Sequence, residues 1–134
     1  VSVTGPDRLV AIDVDLHAAS ELTPVVAALA ALADGTSTIR GVSHIRGHET
    51  DRLAALAREL GRCEIDISET ADGLVITGGG GSAVTDFDTY ADHRMVHAAA
   101  ILGLRLPGLA VTDLECVSKT MPDFEQDWLQ LVAL

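Results

Sequence analysis

Few aromatic side chains, few cations and only two cysteines characterise this sequence. Aromatics make up 3% of its 134 residues, so Ala, Val and Leu must fill the core. The longest apolar run, residues 25–33, is far shorter than the roughly 20 residues that span a bilayer. Cys63 and Cys116 follow no metal or redox spacing, so we expect buried thiols in a reducing compartment. No signal-peptide pattern opens the chain, and we expect a cytoplasmic protein.

The charge balance is strongly acidic. Lys plus Arg number 9 and Asp plus Glu number 20, which gives a formal net charge of −11. This balance excludes general binding to nucleic acid, which needs a basic face, and docking on anionic membranes. Apolar residues reach 48%, enough for one domain with a core. Because the first residue is Val, we expect a fragment or a processed product.

The apolar and turn-forming residues predict an α/β (α+β) fold whose order of elements occurs twice. We predict strands at residues 1–3, 9–16, 36–42, 63–68, 74–77, 84–88 and 109–113. The first long strand should bury four side chains on one face: Val10, Ile12, Val14 and Leu16. We predict helices over 23–33, 49–60, 92–102 and from residue 122 onward. The internal repeats are expected at about 9–77 and 83–134, within one partial lobe over 1–134.

Two threonines and several apolar residues define the predicted helix ends and faces. Thr23 should cap the first helix, with Pro24 after it, and Thr120 should cap the last. The first helix is apolar on every side and should be enclosed. The last helix should turn four apolar side chains inward: Phe124, Trp128, Leu131 and Val132.

Cationic side chains gather at the starts of the later helices. A helix start carries free N–H groups and a positive dipole end, so cations are unfavourable there unless an anion lies among them. Three predicted helix starts carry such residues: Arg46, His48 and Arg52; His93 and Arg94; and Lys119. The pattern predicts a multiply charged anionic ligand bound by several helix starts.

Simpler interpretations remain open for the same residues. Arg52 could pair with Glu49 one turn away, and Arg94 could pair with Asp92 or Asp88. Two pairs of histidines are spaced four apart, which suits a metal, but no third ligand pattern accompanies them: His44 with His48, and His93 with His97. We therefore expect no metal. Glu21 and Glu49 are the carboxylates most suited to proton transfer.

Three short motifs resemble the C-terminal motifs of the EPSP synthases (3-phosphoshikimate 1-carboxyvinyltransferases), the family that glyphosate targets. They are HETDRL at 48–53, YADHRM at 90–95 and KTMPDF at 119–124. They occur in the family's order, and the resemblance covers nearly the whole chain. His48 before ETDR, and Glu at position 21, resemble the actinobacterial branch.

The resemblance implies a fold and a reaction. The family is built from βαβαββ repeats with buried helices and outer sheets, and this chain would form about two repeats of the C-terminal lobe. The implied enzyme moves the enolpyruvyl group of phosphoenolpyruvate to the 5-hydroxyl of shikimate 3-phosphate and releases phosphate. The N-terminal lobe would be missing, so we expect the isolated chain to be inactive. The alternative is a non-catalytic anion-binding or scaffold domain that retains the fold.

The resemblance also implies roles for individual residues. Glu21 would be the base at the 5-hydroxyl, and Glu49 the acid at the methylene carbon. Phosphoenolpyruvate would be held by Arg52, Arg94 and Lys119. Shikimate 3-phosphate would be bound by Glu21, His44 and His48. Two residues would orient these groups: Asp92 and His93. No organic cofactor or metal is implied.

Overall fold

The computed structural model describes residues 2–84 and 86–133 as a mixed α/β fold. The strands are β1 (Asp13–Asp15), β2 (Gly35–Arg40), β3 (Asp66–Glu69) and β4 (Leu74–Gly78). The α-helices are α1 (Thr23–Leu32), α2 (Arg52–Arg62), α3 (His93–Gly103) and α4 (Phe124–Val132). Three 3-10 segments precede helices: His17–Leu22, Ser43–Gly47 and Leu114–Lys119. None of the described helices is long and apolar enough to cross a membrane.

One four-stranded sheet has the order β1-β2-β4-β3. The first two strands run parallel, with Val14 opposite Ile39, and α1 lies between them in sequence. Strand β4 runs antiparallel to both of its neighbours. Its hairpin with β3 turns where the sequence predicts, and Thr70 N donates to Gly73 O at 2.9 Å.

Helix α1 lies at the centre of the core, packed against α3 and β4. Its buried positions are mostly alanines, and these small side chains let neighbouring backbones approach closely. Enclosure is nevertheless incomplete, because Leu29 on the same helix is exposed. The two cysteines are free and buried, as predicted, and burial raises the pKa of both thiols.

The first predicted strands are shorter than the alternating pattern indicates. Residue 1 lies outside the described residues, and Val3 is exposed in irregular chain. Strand β1 has three residues, preceded by a single parallel bridge from Val10 to Asp34. Val10 is 67% exposed and Ile12 is also exposed, so the prediction that both are buried is wrong. They lie where β1 forms an edge of the sheet, and their side chains remain open to solvent.

The two segments predicted as strands, 84–88 and 109–113, form a single parallel bridge between Phe87 and Val111 among the described residues. Thr85 lies outside the described residues. Left-handed backbone at Tyr90, Ala91 and Asp113 ends the extended segments soon after the bridge. The internal duplication therefore stays a prediction, resting on the order of helix, 3-10 segment and helix in both halves.

Two predicted helix starts are displaced. Thr23 is not the N-cap of α1, because the helix continues directly from a 3-10 segment with Leu22 in the cap position. Helix α2 begins at Arg52 rather than residue 49, because the Asp51 carboxylate caps it by accepting from Ala54 N at 3.1 Å. It also runs through Gly61 to Arg62.

The last helix also begins later than predicted. Helix α4 starts at Phe124, while Thr120 ends the preceding 3-10 segment and its hydroxyl donates to Val117 O at 3.3 Å. Phe124 is buried and Trp128 is half-buried against it. Leu131 and Val132 are exposed, contrary to prediction, because only the first turns of α4 reach the core.

Candidate functional site

The starts of α2 and α3 are joined by a buried ion pair. Arg52 Nε donates to Asp92 Oδ2 at 2.7 Å, and Arg52 Nη2 donates to Oδ1 at 3.3 Å. The side chains of Arg52 and Asp92 are 3% and 0% exposed. Asp92 is also the N-cap of α3, since Oδ1 accepts from Arg94 N at 2.9 Å. One carboxylate thus fixes a guanidinium and begins a helix.

Glu21 lies at the middle of this group. Its Oε2 accepts from Arg52 Nη1 at 2.9 Å and lies 2.5 Å from Arg94 Nε. Its Oε1 lies 3.0 Å from His48 Nδ1. Arg94 Nη1 also donates to the Glu21 backbone carbonyl at 3.2 Å. The 3-10 segment His17–Leu22 therefore places one half-buried carboxylate among two guanidinium groups and an imidazole.

These neighbours change the acidity of Glu21. Burial acts to raise its pKa, but the hydrogen bond and charge of Arg52 act in the opposite direction. The charges of Arg94 and His48 add to that effect, and the pKa falls below the ordinary 4.5. The carboxylate is therefore ionised at neutral pH and able to accept a proton.

Glu49 and His93 form a second pair beside the first group. His93 Nδ1 lies 3.3 Å from Glu49 Oε2 and 3.9 Å from Asp92 Oδ1. Glu49 is exposed, because α2 begins after it, whereas His93 is largely buried in the first turn of α3. One ligand atom from each of these three residues lies within 4.8 Å of the others. Both Asp92 oxygens already accept from cationic or backbone donors, so this set fits a metal poorly.

The histidine pairs expected from spacing are close in space. His44 and His48 have ring centroids 6.3 Å apart, and His17 lies 5.3 Å from His44. The spacing of the histidines does not single out His17, although it precedes Glu21 by about one turn of the same 3-10 segment. His93 and His97 are 6.1 Å apart, but His97 packs against Phe124 at 5.0 Å between ring centroids.

Of the cations singled out in the sequence, Arg46 pairs elsewhere and Lys119, in the described part of the chain, makes no ion pair with Glu21. Arg46 Nη1 lies 2.5 Å from Glu69 Oε2 and 3.2 Å from Asp51 Oδ2, so it ties the 3-10 segment to the β3–β4 hairpin. Lys119 is exposed at the end of the 3-10 segment Leu114–Lys119. Within residues 2–84 and 86–133, no ion pair joins Lys119 to Glu21.

The simple surface pairings do not account for the arginines. Arg52 pairs with Asp92 and Glu21 rather than Glu49. The Arg94 side chain meets Glu21, and it is the Arg94 backbone that meets Asp92. Two guanidinium groups thus face one internal carboxylate, and such groups are the donors that suit a carboxylate or phosphate.

Comparison with known proteins shows the family of the chain. The family model of EPSP synthase (3-phosphoshikimate 1-carboxyvinyltransferase) matches residues 1–128. The chain belongs to the EPSP synthase family. A family member from Kocuria rhizophila, named 3-phosphoshikimate 1-carboxyvinyltransferase, is 53% identical over 133 residues. One of the same name from Mycobacterium ulcerans is 49% identical over 134 residues.

Both relatives are matched over 98% of this chain, which spans 29% and 31% of their lengths. Among solved structures, EPSP synthase from Acinetobacter baumannii superposes with a TM-score of 0.72 at 28% identity. That match covers 77% of this chain and 25% of the other. The chain thus has the fold of part of one lobe of an EPSP synthase.

Proposed function

We propose that this chain supplies part of the active site of an enzyme that makes 5-enolpyruvylshikimate 3-phosphate. The reaction moves the enolpyruvyl group of phosphoenolpyruvate to the 5-hydroxyl of shikimate 3-phosphate and releases phosphate. The observation that carries the proposal is the group formed by Arg52, Asp92, Arg94 and Glu21 at two helix starts. The family membership supports the same conclusion.

The chemistry needs one base and one acid. In the addition step the 5-hydroxyl oxygen bonds to the phosphate-bearing carbon of phosphoenolpyruvate, while the hydroxyl loses its proton and the methylene carbon gains one. In the elimination step the bond from that carbon to phosphate breaks, and the former methylene carbon returns a proton so that the double bond re-forms. Glu21 would be the base because of its position: its ionised carboxylate lies beside Arg52, Arg94 and His48, although the lowered pKa makes it a weaker base than a free glutamate. Glu49 would be the acid, and His93, whose Nδ1 lies 3.3 Å from its carboxylate, would orient it.

The remaining residues bind charge. Arg52 and Arg94 would meet the carboxylate and phosphate of phosphoenolpyruvate, with Lys119 as the third cation. Since Asp92 fixes two nitrogens of Arg52, the guanidinium is oriented before substrate arrives. On the other side of Glu21, shikimate 3-phosphate would be bound by His44 and His48.

The proposal concerns the whole enzyme rather than this chain alone. An N-terminal lobe would close over the site and complete it, so the isolated chain would bind phosphoenolpyruvate weakly and show no turnover. No metal, organic cofactor or nucleic acid takes part in the proposal. We also propose a cytoplasmic location, which the two free, buried thiols support.

The second candidate is a non-catalytic anion-binding or scaffold domain. One observation favours it: Glu21 and Asp92 together already balance the charges of Arg52 and Arg94. The two candidates predict different effects of removing a charge. Loss of turnover at unchanged stability indicates catalysis, whereas loss of stability alone indicates a scaffold.

A hybrid synthase tests the choice with this chain's own residues. Residues 1–134 replace the matching segment of the Kocuria rhizophila relative, which is 53% identical. We expect a functional hybrid in which Arg94→Gln lowers kcat/KM for phosphoenolpyruvate by about 100-fold, or about 3 kcal/mol of transition-state stabilisation. Arg40→Gln removes an exposed arginine paired with Asp13 and serves as the matched control. Equal kcat/KM values in the Arg94→Gln and Arg40→Gln hybrids contradict the proposal.

A further inference from the structure

Glu59 is a fully buried carboxylate that the proposed chemistry does not use. It lies on α2 and is 0% exposed. Its Oε1 accepts from Tyr90 Oη at 2.9 Å, and its Oε2 accepts from Asp88 N at 3.1 Å and Arg62 Nη1 at 2.7 Å. A buried carboxylate is costly unless donors surround it. Two of these three donors belong to the segment just before α3.

That segment holds an unusual backbone turn. Tyr90 and Ala91 have φ values of 53° and 54°, in the left-handed region that non-glycine residues rarely adopt. Local hydrogen bonds hold the turn from within: Tyr90 N donates to Asp88 Oδ1 at 2.8 Å, and Asp92 N donates to Thr89 O at 2.9 Å. Strain of this kind persists only where the surroundings over-determine the conformation. Glu59 supplies part of that restraint from another helix.

The Tyr90 hydroxyl stays protonated and donates to Glu59. Burial, together with the hydrogen bond to Glu59 and its charge, raises the pKa of Tyr90 to about 12. The phenol therefore keeps its proton at neutral pH. The Glu59 contact is then a fixed link between the middle of α2 and the turn.

The turn leads directly into the site. The residue after Ala91 is Asp92, which caps α3 and holds Arg52 through both oxygens. Arg52 is the first residue of α2, and Glu59 is two turns further along the same helix. Helix α2 therefore contacts the segment before α3 at two points: Glu59 binds the turn, and Arg52 binds the N-cap residue Asp92.

We propose that Glu59 is a positioning residue: it fixes the left-handed turn at Tyr90 and Ala91 and thereby aims Asp92 at Arg52. The effect on the Arg52 geometry follows from the contacts of this chain alone. The effect on turnover rests on the proposed function. Glu59 touches no substrate-facing group itself, and it acts through the turn.

The geometric claim is tested by ¹⁵N NMR on the 134-residue chain. Arg52 Nε–H donates to Asp92 at 2.7 Å, so its resonance and its hydrogen exchange report that bond. Tyr90→Phe removes one of the contacts to Glu59 and retains the ring, and we expect the Arg52 signal to shift and exchange faster. Glu59→Ala should produce a larger change, while Glu59→Gln, which keeps an oxygen acceptor, should restore most of the signal.

Ile76→Val is the matched control, because it trims a fully buried side chain on β4, and the hydrogen bonds described at the turn involve no residue of that strand. Its Arg52 signal should match that of the unaltered chain although its stability falls. If Glu59→Ala does not fold, Tyr90→Phe decides the question alone. An Arg52 signal in Tyr90→Phe that does not move overturns the proposal, as does an equal movement in Ile76→Val.

The hybrid synthase gives the functional readout. In Tyr90→Phe we expect kcat to fall about tenfold, because the turn that orients Asp92 and Arg52 loses one of its hydrogen bonds. The KM for shikimate 3-phosphate should change little, because its proposed ligands His44 and His48 are unaltered. The kcat of Glu59→Gln should lie much closer to that of the unaltered hybrid than the kcat of Glu59→Ala does. A shifted Arg52 signal with no turnover in the unaltered hybrid supports the positioning role and counts against the proposed function only. Unchanged kcat in an active Tyr90→Phe hybrid overturns the functional part.

Discussion

Removing one charge from the Arg52–Asp92 pair should destabilise the chain strongly. Both side chains are almost fully buried, and Arg52 Nε and Asp92 Oδ2 are 2.7 Å apart. In Arg52→Met the Asp92 carboxylate would stay buried without its main donors. Loss of one partner from a buried pair costs about 3–5 kcal/mol, because the other charge is left uncompensated.

Urea unfolding followed by circular dichroism at pH 7 measures this loss. With an m-value of about 2 kcal/mol per molar, the midpoint should fall by about 1.5–2.5 M. Arg40→Met is the matched control: Arg40 and Asp13 are 47% and 67% exposed, so the cost should stay below about 1 kcal/mol.

A double-mutant cycle separates the pair from other effects. Asp92→Asn should also destabilise, since it leaves Arg52 buried and unpaired. The double variant with Arg52→Met removes both charges and should be more stable than the sum of the single losses predicts, by about 2 kcal/mol or more. A midpoint shift for Arg52→Met no larger than that for Arg40→Met would refute the reasoning, as would strictly additive losses.

Three further outcomes follow from individual residues. Because the pKa of Glu21 is lowered from 4.5 in the folded chain, its contribution to stability is present above about pH 4.5 and lost as pH falls through the folded pKa; urea midpoints from pH 6 to pH 3 should fall less steeply in Glu21→Gln. Burial, and then the charges of nearby cations, lower the pKa of His97 below 6.5, so its neutral form stabilises the fold above that pH and the benefit declines on acidification; His97→Leu should reduce the loss of unfolding free energy between pH 7 and pH 5, and an unchanged difference contradicts this. A Cβ at Gly78 would lie 2.3 Å from the carbonyl oxygens of Ala30 and Ala33, so thermal unfolding of Gly78→Ala should show a loss of about 1–3 kcal/mol, whereas Gly80→Ala, with open space around it, should match the unaltered chain.

The sequence predicts the helices better than the strands, for a physical reason. The helix that contains Ala27 and Ala30 is long and apolar, and a helix start with an Asp cap, as at Asp92, is a local signal. The burial of Val10 depends on what covers its strand, and alternation cannot show that the strand forms an edge. The left-handed backbone at Tyr90 and Ala91 could not be predicted, because neither residue is a glycine.

The candidate site is partly predictable for a similar reason. Cations at helix starts are visible in the sequence, and Arg52 and Arg94 do meet in space at Glu21. Arg46 has the same local setting but pairs with Glu69 instead, and only the register of the hairpin determines that. Long-range partners such as Glu21, 73 positions from Arg94, follow from the packing of α1 against α3 rather than from local sequence.

The open edge at β1 has a consequence for how the purified chain behaves. An unpaired strand edge offers backbone groups to another copy, and native proteins blunt such edges with charge. Asp13 and Asp15 place two carboxylates on this three-residue strand, and the isoelectric point is about 4.6. Acidification toward that value weakens the mutual repulsion of neighbouring molecules while the edge stays available. Precipitation through strand-to-strand association should therefore set in near the isoelectric point, and dilute neutral buffer is the condition that keeps the chain dispersed.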